Sequence, residues 1–403
     1  MTPSDATEPH RDPMASDRRV LIIGLVAMLL FVTVGVTSAS VFTASACRDV
    51  AATDAVAFDA AGITAVAAGN IDDLADVDPL AADDLATLET LAGPATAAMW
   101  LPAERYQPHA LASHDAGRWL LRGASSIVEL VERANQVTVP VDATLVGSGD
   151  TLFAVALTNL LTGQVDAVQP VTVDGAAAGC IDTALARVPL AFYLDASDGQ
   201  MVLLRVDEAG QQPEIELLNA DGTIAWRSPV TSPVGPPGVL GERITAAAGG
   251  TTIVAGRRFV AGDDAGVVAL YDRHDGAIRW EFSGTKLMPL VTPSAAYRTT
   301  ALAVGDAHAY VALAPDDTAD DDVTVVAISV DSGEIEWTAT LPAVPTWAAA
   351  VDTTLLASLD GQLWTIADGV ATAVGVSGVR HLTYTDGLQV LLDRQHGTLA
   401  LSW

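Results

Sequence analysis

An acidic run in the carboxy-terminal quarter of the chain offers the densest set of possible metal ligands. Five carboxylates occur within seven positions, at Asp316, Asp317, Asp320, Asp321 and Asp322. Calcium prefers several oxygen ligands in a flexible loop, so this run is a weak candidate for a calcium site. The spacing lacks the alternating order and the turn glycine of a calcium loop, and a solvated acidic loop is the favoured interpretation.

The two cysteines, Cys47 and Cys180, are the next candidates for chemistry. They lie more than a hundred positions apart without flanking histidine clusters, which makes them a poor zinc site. Two cysteines in an exported chain most simply form one disulfide. We therefore predict a bond between them.

Other signatures of catalysis are missing from the sequence. The seven histidines form no His-x-His or His-Glu-x-x-His pair, and neither a Gly-x-Ser-x-Gly elbow nor a phosphate-binding glycine loop occurs. The net charge of −30, from 50 acidic and 20 basic residues, argues against a nucleic-acid partner because phosphate binding needs a basic face. We predict no catalytic residue and no resident cofactor.

A long apolar segment near the amino terminus predicts the location of the chain. Val20 to Val36 is almost continuously apolar, a length that can cross a hydrocarbon core. Three arginines precede it, which places the first residues in the cytoplasm by the positive-inside rule. We predict a disordered cytoplasmic tail over 1–19 and a transmembrane helix over 20–43. The protein would then be a single-pass protein of the cell membrane, with its carboxy-terminal domain extracytoplasmic.

Two alternatives to this anchor stay open. Ala44-Ser45-Ala46 before Cys47 fits the small-x-small pattern of a cleaved signal peptide. The cysteine could instead be lipidated, although the three residues before it differ from the Leu-Ala-Gly type of box in bacterial lipoproteins. The apolar run is longer than a usual signal core, which favours the uncleaved anchor.

The segment over 44–107 is rich in Ala and Asp and differs from the rest of the chain. Within it, Asp78-Pro79 supplies an N-cap and a first-turn proline, a leucine stripe follows, and Gly93-Pro94 supplies a stop. We predict one short helix there, which packs as a lid or spacer between the membrane and the main domain.

From about residue 108 to the end, strand and turn signals alternate and repeat. The clearest units are Gly266–Trp280 and Val325–Trp337, each a β-run, a polar glycine turn and a second β-run closed by tryptophan. The same Gly-x3-Trp register ends a third unit. The glycines are Gly222, Gly276 and Gly333, and the tryptophans are Trp226, Trp280 and Trp337.

This repetition predicts an all-β fold, a β-propeller over 108–403 with about seven blades of four antiparallel strands. Eight blades are also compatible with the spacing. A β-sandwich would give short strands too, but it has no reason to repeat the Gly-x3-Trp register. The last unit lacks its outermost strand, so we expect a strand from around Val56 to Val66 or Ala110 to Trp119 to close the ring.

The unit Gly266–Trp280 resembles the pyrroloquinoline-quinone-type repeat, with the pattern Gly-x-(Val/Leu)-x-Ala-Leu-Asp-x-x-Thr-Gly-x-x-x-Trp. Val325–Trp337 is similar to it as well, and Ala156–Gly163 looks like a worn copy. In that family the equivalent tryptophan packs between neighbouring blades. The resemblance therefore implies a blade-docking role for the three repeat tryptophans.

The quinoprotein dehydrogenases of that family hold their cofactor between a tryptophan and a vicinal disulfide, beside a calcium ion. This chain has no adjacent cysteines and no Cys-x-x-Cys-His haem site. The resemblance thus implies a non-enzymatic member of the quinoprotein-like propeller superfamily.

The function that the sequence favours is protein binding or scaffolding at the cell envelope, since propellers present variable loops on a rigid ring. The alternative is an envelope enzyme, a hydrolase or a quinone-dependent oxidoreductase, with a carboxylate-lined funnel. A buried carboxylate pair in the funnel would favour the enzyme. An exposed apolar patch on the rim would favour a protein partner.

Overall fold

In the computed structural model, the described residues are 79–102, 223–230, 244–316, 322–384 and 387–403, together with short and mostly β-strand segments between residues 56 and 219. The predicted tail over 1–19, the predicted transmembrane helix over 20–43, and both cysteines lie outside these residues. No helix within the described ranges is long and apolar enough to cross a membrane.

The described residues are mostly β-strand. The helices are α1 (Pro79–Ala92), α2 (Gly284–Leu287) and a 3-10 turn (Met288–Leu290). In chain order the strands are β1 (Val56–Ala57), β2 (Thr64–Val66), β3 (Ala97–Pro102), β4 (Ala110–Ser113), β5 (Trp119–Arg122), β6 (Ile127–Leu130), β7 (Asn135–Thr138), β8 (Ala143–Ser148), β9 (Leu152–Thr158), β10 (Val165–Thr172), β11 (Ile181–Asp182), β12 (Pro189–Leu194), β13 (Met201–Val206), β14 (Pro213–Leu218), β15 (Ile224–Pro229), β16 (Ile244–Ala248), β17 (Thr252–Arg257), β18 (Phe259–Val260), β19 (Gly266–Asp272), β20 (Ile278–Ser283), β21 (Ala296–Val304), β22 (His308–Pro315), β23 (Val323–Ser329), β24 (Ile335–Leu341), β25 (Trp347–Val351), β26 (Thr354–Leu359), β27 (Gln362–Ala367), β28 (Val370–Ala373), β29 (Val379–Tyr384), β30 (Leu388–Arg394) and β31 (Gly397–Ser402).

These strands pair into seven antiparallel sheets, which we number in chain order. Four sheets have four strands: sheet 2 (β8 to β11), sheet 3 (β12 to β15), sheet 4 (β16, β17, β19, β20) and sheet 6 (β25 to β28). Three sheets have five. Sheet 1 joins β4 to β7 with β1, sheet 5 joins β21 to β24 with β18, and sheet 7 joins β29 to β31 with β3 and β2.

We call the strand of each sheet that lies nearest the axis its first strand, although β1, β18 and β2 come earlier in the chain than the first strands of sheets 1, 5 and 7. These first strands follow one another around a ring. In order they are β4, β8, β12, β16, β21, β25 and β29, and each contacts the first strand of the next sheet. Sheet 7 returns to the start, because β30 contacts β4. Sheets that meet side by side around an axis in this way are the blades of a β-propeller. The predicted fold class is therefore confirmed at the level of the propeller.

Differences in burial explain why some strands are continuous apolar runs in the sequence while others alternate between apolar and polar residues. All six residues of β17 and all eight of β22 are buried, whereas β20 and β24 at the outer edges alternate between exposed and covered positions. Strands in the middle of a blade are covered on both faces by the neighbouring blades, so they form continuous apolar runs. Outer strands keep one face in solvent and show the two-residue period.

Sheet 7 is closed by an amino-terminal strand, but mainly by residues other than those we expected. β3 pairs with β31 from Ala97 opposite Ser402 to Pro102 opposite Gly397, and β2 pairs outside β3. Of the two candidate stretches, 56–66 contributes only β2 to this sheet, while 110–119 contains β4, the first strand of sheet 1. The sequence does not mark β3 as a strand, because β3 is buried and its apolar residues do not alternate with polar ones. The domain boundary predicted at residue 108 thus falls after strands that belong to the ring.

Helix α1 occupies the residues predicted for it, but it is part of the core and not a lid. It ends before Gly93, whose positive φ of 81° suits a glycine at a helix end. Its buried side chains pack with Trp100 and with strands of sheets 6 and 7. On its polar side, Asp84 forms an ion pair with Arg394.

We predict that Trp100→Ala destabilises the ring by about 3 to 5 kcal/mol, the usual cost of removing a buried aromatic side chain. Trp100 is buried in β3 beside Gly397 of β31, so the loss falls on the closing pair of strands. Chemical denaturation of the full-length protein would measure it. Val370→Ala, at a side chain 63% exposed on the outer strand β28, should change stability by no more than about 0.5 kcal/mol. Equal effects of the two substitutions would contradict the role of β3.

Candidate functional site

The repeat tryptophans lie at the seams between blades. The indole nitrogen of Trp226 in sheet 3 donates a hydrogen bond to the carbonyl of Arg273 in the next sheet, at 2.7 Å. In the same way Trp280 of sheet 4 donates to the carbonyl of Val330, at 3.2 Å. Each indole therefore reaches the turn of the following repeat, and it fastens one blade to the next.

The turn glycines make room for these indoles. Gly276 and Gly333 have positive φ values of 72° and 67°, a backbone conformation that other residues adopt at a cost. A Cβ atom on Gly276 would lie 2.5 Å from the Trp226 ring, and one on Gly333 would lie 2.8 Å from the Trp280 ring. The glycine of each Gly-x3-Trp unit thus receives the tryptophan of the preceding unit.

Trp337 is placed differently. Its ring contacts His308 and Tyr310 of its own sheet, with ring centroids 6.4 and 5.8 Å apart. The next sheet turns tightly there, because β27 and β28 are joined by only two residues, Asp368 and Gly369. The five-residue turns of sheets 4 and 5 supply the acceptor carbonyls for Trp226 and Trp280, and the two-residue turn of sheet 6 has no corresponding carbonyl.

A double-mutant cycle tests the seam. Gly333→Ala should cost about 1 to 2 kcal/mol for the left-handed backbone, plus about 1 to 3 kcal/mol for the clash with Trp280. Gly262→Ala is the matched control, because Gly262 has a φ of 81° and a Cβ atom added there would have nothing within 4 Å. The excess cost should become smaller in a Trp280→Ala background, which removes the ring and keeps only the Cβ atom, 2.9 Å from the added one. Thermal and chemical unfolding that gave the same excess with and without Trp280 would contradict the contact.

Only two carboxylates of the acidic run, Asp316 and Asp322, lie within the described residues, so the calcium site stays a prediction. Asp316 pairs with Arg258, and its other carboxylate oxygen lies 3.9 Å from Arg298. Asp322 is exposed, and Asp317, Asp320 and Asp321 lie outside the described residues. In the part of the chain that the structure covers, no group of three or more His, Cys, Asp or Glu side chains could hold a metal ion.

A second cluster of titratable groups lies on the side of sheet 5 that faces sheet 6. His308 Nε2 lies 2.7 Å from a carboxylate oxygen of Glu336, and its Nδ1 lies 3.4 Å from the hydroxyl of Tyr310. Burial, with a smaller contribution from the Glu336 charge, raises the pKa of Tyr310. The hydroxyl is enclosed and remains protonated, so we assign this cluster to the packing of Trp337.

The candidate site is a cavity along the propeller axis, of about 290 Å³. It is bounded by the first strands of sheets 4 to 7 and by the residues before β25. Its lining consists of small apolar side chains, threonines and two aromatic residues. The lining residues are Thr245, Ala247, Ala248, Thr300, Ala301, Leu302, Ala303, Val304, Pro345, Thr346, Trp347, Ala348, Ala349, Ala350, Leu382, Thr383 and Tyr384.

Two features distinguish this cavity. Trp347 and Tyr384 remain 37% and 47% exposed, which is unusual for large aromatic side chains. None of the described lining residues carries a charge, although charged residues make up 17% of the chain. Sequence reasoning missed both aromatic residues, because they lie outside the repeat pattern and only the ring brings β25 and β29 together.

Beside the cavity lies a buried histidine with an unusual environment. His381 packs against Trp347 edge to face, with ring centroids 4.6 Å apart. Both of its ring nitrogens are buried without a hydrogen-bond partner among the described residues. Because burial penalises the charged imidazolium, the pKa of His381 is lowered to about 4. At neutral pH the ring is therefore uncharged, like the cavity beside it.

The shifted pKa predicts a pH dependence of stability. In the unfolded chain His381 has a pKa of about 6.5 and is protonated below that pH, whereas in the native state its pKa is about 4 and it stays neutral down to that pH. The free energy of unfolding should therefore fall between these values, by on the order of 3 kcal/mol from this residue. His381→Phe should remove that part of the slope in denaturation curves taken from pH 7 to 4. The exposed His396→Gln is the control and should keep it. Parallel curves for wild type and His381→Phe would contradict the assignment.

The fold and the repeat define the class of this protein as a β-propeller with pyrroloquinoline-quinone-like repeats. Residues 189–386, just under half of the chain, match the model of a family described as outer membrane protein assembly factor BamB. This match covers the Gly-x3-Trp units and their seams. None of the curated proteins compared matches the chain.

Several solved structures are similar to the chain at low identity. An oligogalacturonate lyase in complex with manganese has 10% identity and a TM-score of 0.46, covering 77% of this chain and 93% of its own. The β-propeller domain of the Trilobed protease from Pyrococcus furiosus has 9% identity and a TM-score of 0.40, with 75% and 90% covered. A quinohemoprotein alcohol dehydrogenase from Pseudomonas putida HK5 has 10% identity and a TM-score of 0.37, with 75% of each chain covered.

The described residues do not fit a quinone and calcium centre of the dehydrogenase type. A calcium ion needs several oxygen ligands, usually carboxylates among them, and the described residues of the axial lining include no carboxylate. Among the described residues, Trp347 faces a histidine. The shared repeat therefore gives no support for quinone chemistry in this cavity.

Proposed function

We propose that this protein is a membrane-anchored, extracytoplasmic propeller of seven blades that binds a protein partner at the cell envelope. The observation that carries the proposal is the uncharged axial cavity with its exposed aromatic residues, Trp347 and Tyr384. Tyrosine and tryptophan are enriched at protein interfaces, where they supply large contact areas at low entropic cost. The closed ring of blades holds this cavity rigidly, which suits a binding module.

The location is proposed from the sequence and from the family match. The apolar segment Val20 to Val36 and the arginines before it favour a single span with the propeller outside the cytoplasm. The matched family is described as an outer membrane assembly factor, which is a role at an envelope. We extend that kind of role, but not the particular partner, to this chain.

The rival function is an envelope enzyme, and it needs an acid and a base in the funnel. A catalytic pair would be two titratable groups near one another, with environments that separate their pKa values. In the described part of the axial cavity the lining offers hydroxyl and apolar groups only. The geometry therefore supports binding over catalysis, and we propose that the protein is not an enzyme.

Site-specific photocrosslinking in native membranes would test the proposal. A photoreactive phenylalanine analogue is placed at Tyr384 in the axial cavity, and at Val370 on the outer strand of sheet 6 as a control of similar exposure. We expect a discrete crosslinked protein from position 384 and none from position 370. No adduct at 384, together with substrate turnover in an activity screen of the purified protein, would overturn the proposal.

A further inference from the structure

The hairpins that follow the first strands of sheets 4, 5 and 6 meet at one end of the ring. They are Gly249–Thr251, Gly305–Ala307 and Asp352–Thr353, and we call this end, with the neighbouring Tyr384, the hairpin rim. A Cβ atom on Gly249 would lie 2.8 Å from the carbonyl of Val304 in the next sheet. One on Gly305 would lie 3.2 Å from Ala350 and 3.5 Å from the Asp352 carbonyl. The hairpins are therefore in direct contact and form a continuous surface.

The axial cavity reaches this rim. Its lining includes Ala248, Val304 and Tyr384, which are the last residues of β16, β21 and β29. It also includes Ala350, next to the end of β25. An apolar group that enters the cavity from this end would pass Tyr384, the most exposed aromatic residue of the lining.

The rim also presents two carboxylates that make no ion pair. Asp306 and Asp352 are exposed at the tips of adjacent hairpins. No described Arg, Lys or His side chain pairs with either of them, whereas Asp272, Asp316 and Asp393 are each paired with arginine. Asp352 holds its place in the turn with a φ of 52°, which aspartate tolerates better than most residues.

We propose that the hairpin rim binds a cationic segment of the protein partner, with an apolar side chain in the axial cavity and flanking Lys or Arg residues facing Asp306 and Asp352. This inference rests on the proposed function and names the chemistry of the partner. The carboxylates match cationic side chains, and the net charge of −30 adds a long-range attraction that speeds the encounter. The same negative charge repels surfaces that are rich in phosphate groups.

The size of the cavity limits what enters it. Its volume of about 290 Å³ lies just below the usual range for small-molecule sites. A cavity of about 150 Å³ is known to accept benzene, so there is room here for a single large apolar side chain. Tyr384 at the opening can stack on a guanidinium or ammonium group that follows that side chain.

Peptide binding tests the inference. The probes are a fluorescently labelled octapeptide of alternating Arg and Leu and a matched octapeptide of alternating Glu and Leu, each titrated onto the full-length protein in neutral detergent. We expect the Arg-Leu peptide to bind and the Glu-Leu peptide not to bind. The double variant Asp306→Asn/Asp352→Asn should weaken Arg-Leu binding at least threefold and make it less dependent on salt. Asparagine keeps the left-handed turn at 352, so the fold is preserved.

Two further variants distinguish binding at the hairpin rim from attraction of the peptide by the overall negative charge. The control Asp264→Asn/Asp322→Asn removes two exposed carboxylates from the loops before β19 and β23, at the other end of sheets 4 and 5, and should leave the affinity unchanged. Tyr384→Ala should weaken binding at least threefold without changing the salt dependence. An equal loss in the control pair, equal binding of both peptides, or wild-type affinity in the rim double variant would overturn the inference. If position 384 still crosslinks to a protein in membranes, the proposed function stands while this inference fails.

Discussion

The pairing of β3 with β31 is the interaction on which the ring depends. Six residues from each strand lie opposite one another, although about three hundred positions separate them in the chain. Without this pair, β31 would present an open edge, and an unpaired edge strand invites association with other chains. Neighbouring groups hold the two ends together at the same point, since Trp403 donates its indole hydrogen to the Gly93 carbonyl and Thr96 donates its amide to Ser402. Closure thus joins helix α1, β3 and the last sheet into a single core.

Within the closed ring, the seams and the axis place opposite demands on side-chain size. At the outer edges, Trp226 and Trp280 fill the widening gap between blades, and a glycine in the following turn accommodates each ring. Near the axis the blades converge, and several of the innermost strands carry small residues there, as in Ala348, Ala349 and Ala350 of β25. This division explains a chain that is half hydrophobic but only 5% aromatic.

The sequence was informative where structure is local and repeated. The hairpins ending at Trp280 and Trp337, and helix α1, follow from turn residues and spacing within a few positions. The closing strand was predicted at the wrong residues. Buried strands such as β3 lack the alternating pattern, and the partner of β3, the strand β31, lies at the other end of the chain. The axial site could not be predicted for a similar reason. Trp347 and Tyr384 belong to different repeats and line one cavity only when their blades pack side by side, and no local motif marks residues that the fold brings together in this way.

We attribute the composition of the axial cavity to the proposed binding function and not to packing alone. Packing near the axis requires small side chains, and it accounts for the alanines, but it does not call for Trp347 and Tyr384, whose rings remain partly in solvent. Nor does packing require the removal of charge, since a solvent-filled channel tolerates it. The seventeen lining residues that the structure describes include no charged group, in a chain where one residue in six is charged, and they therefore form an uncharged surface. Burial of the neutral His381 behind Trp347 fits the same constraint, because a protonated ring there would place a positive charge beside the apolar site.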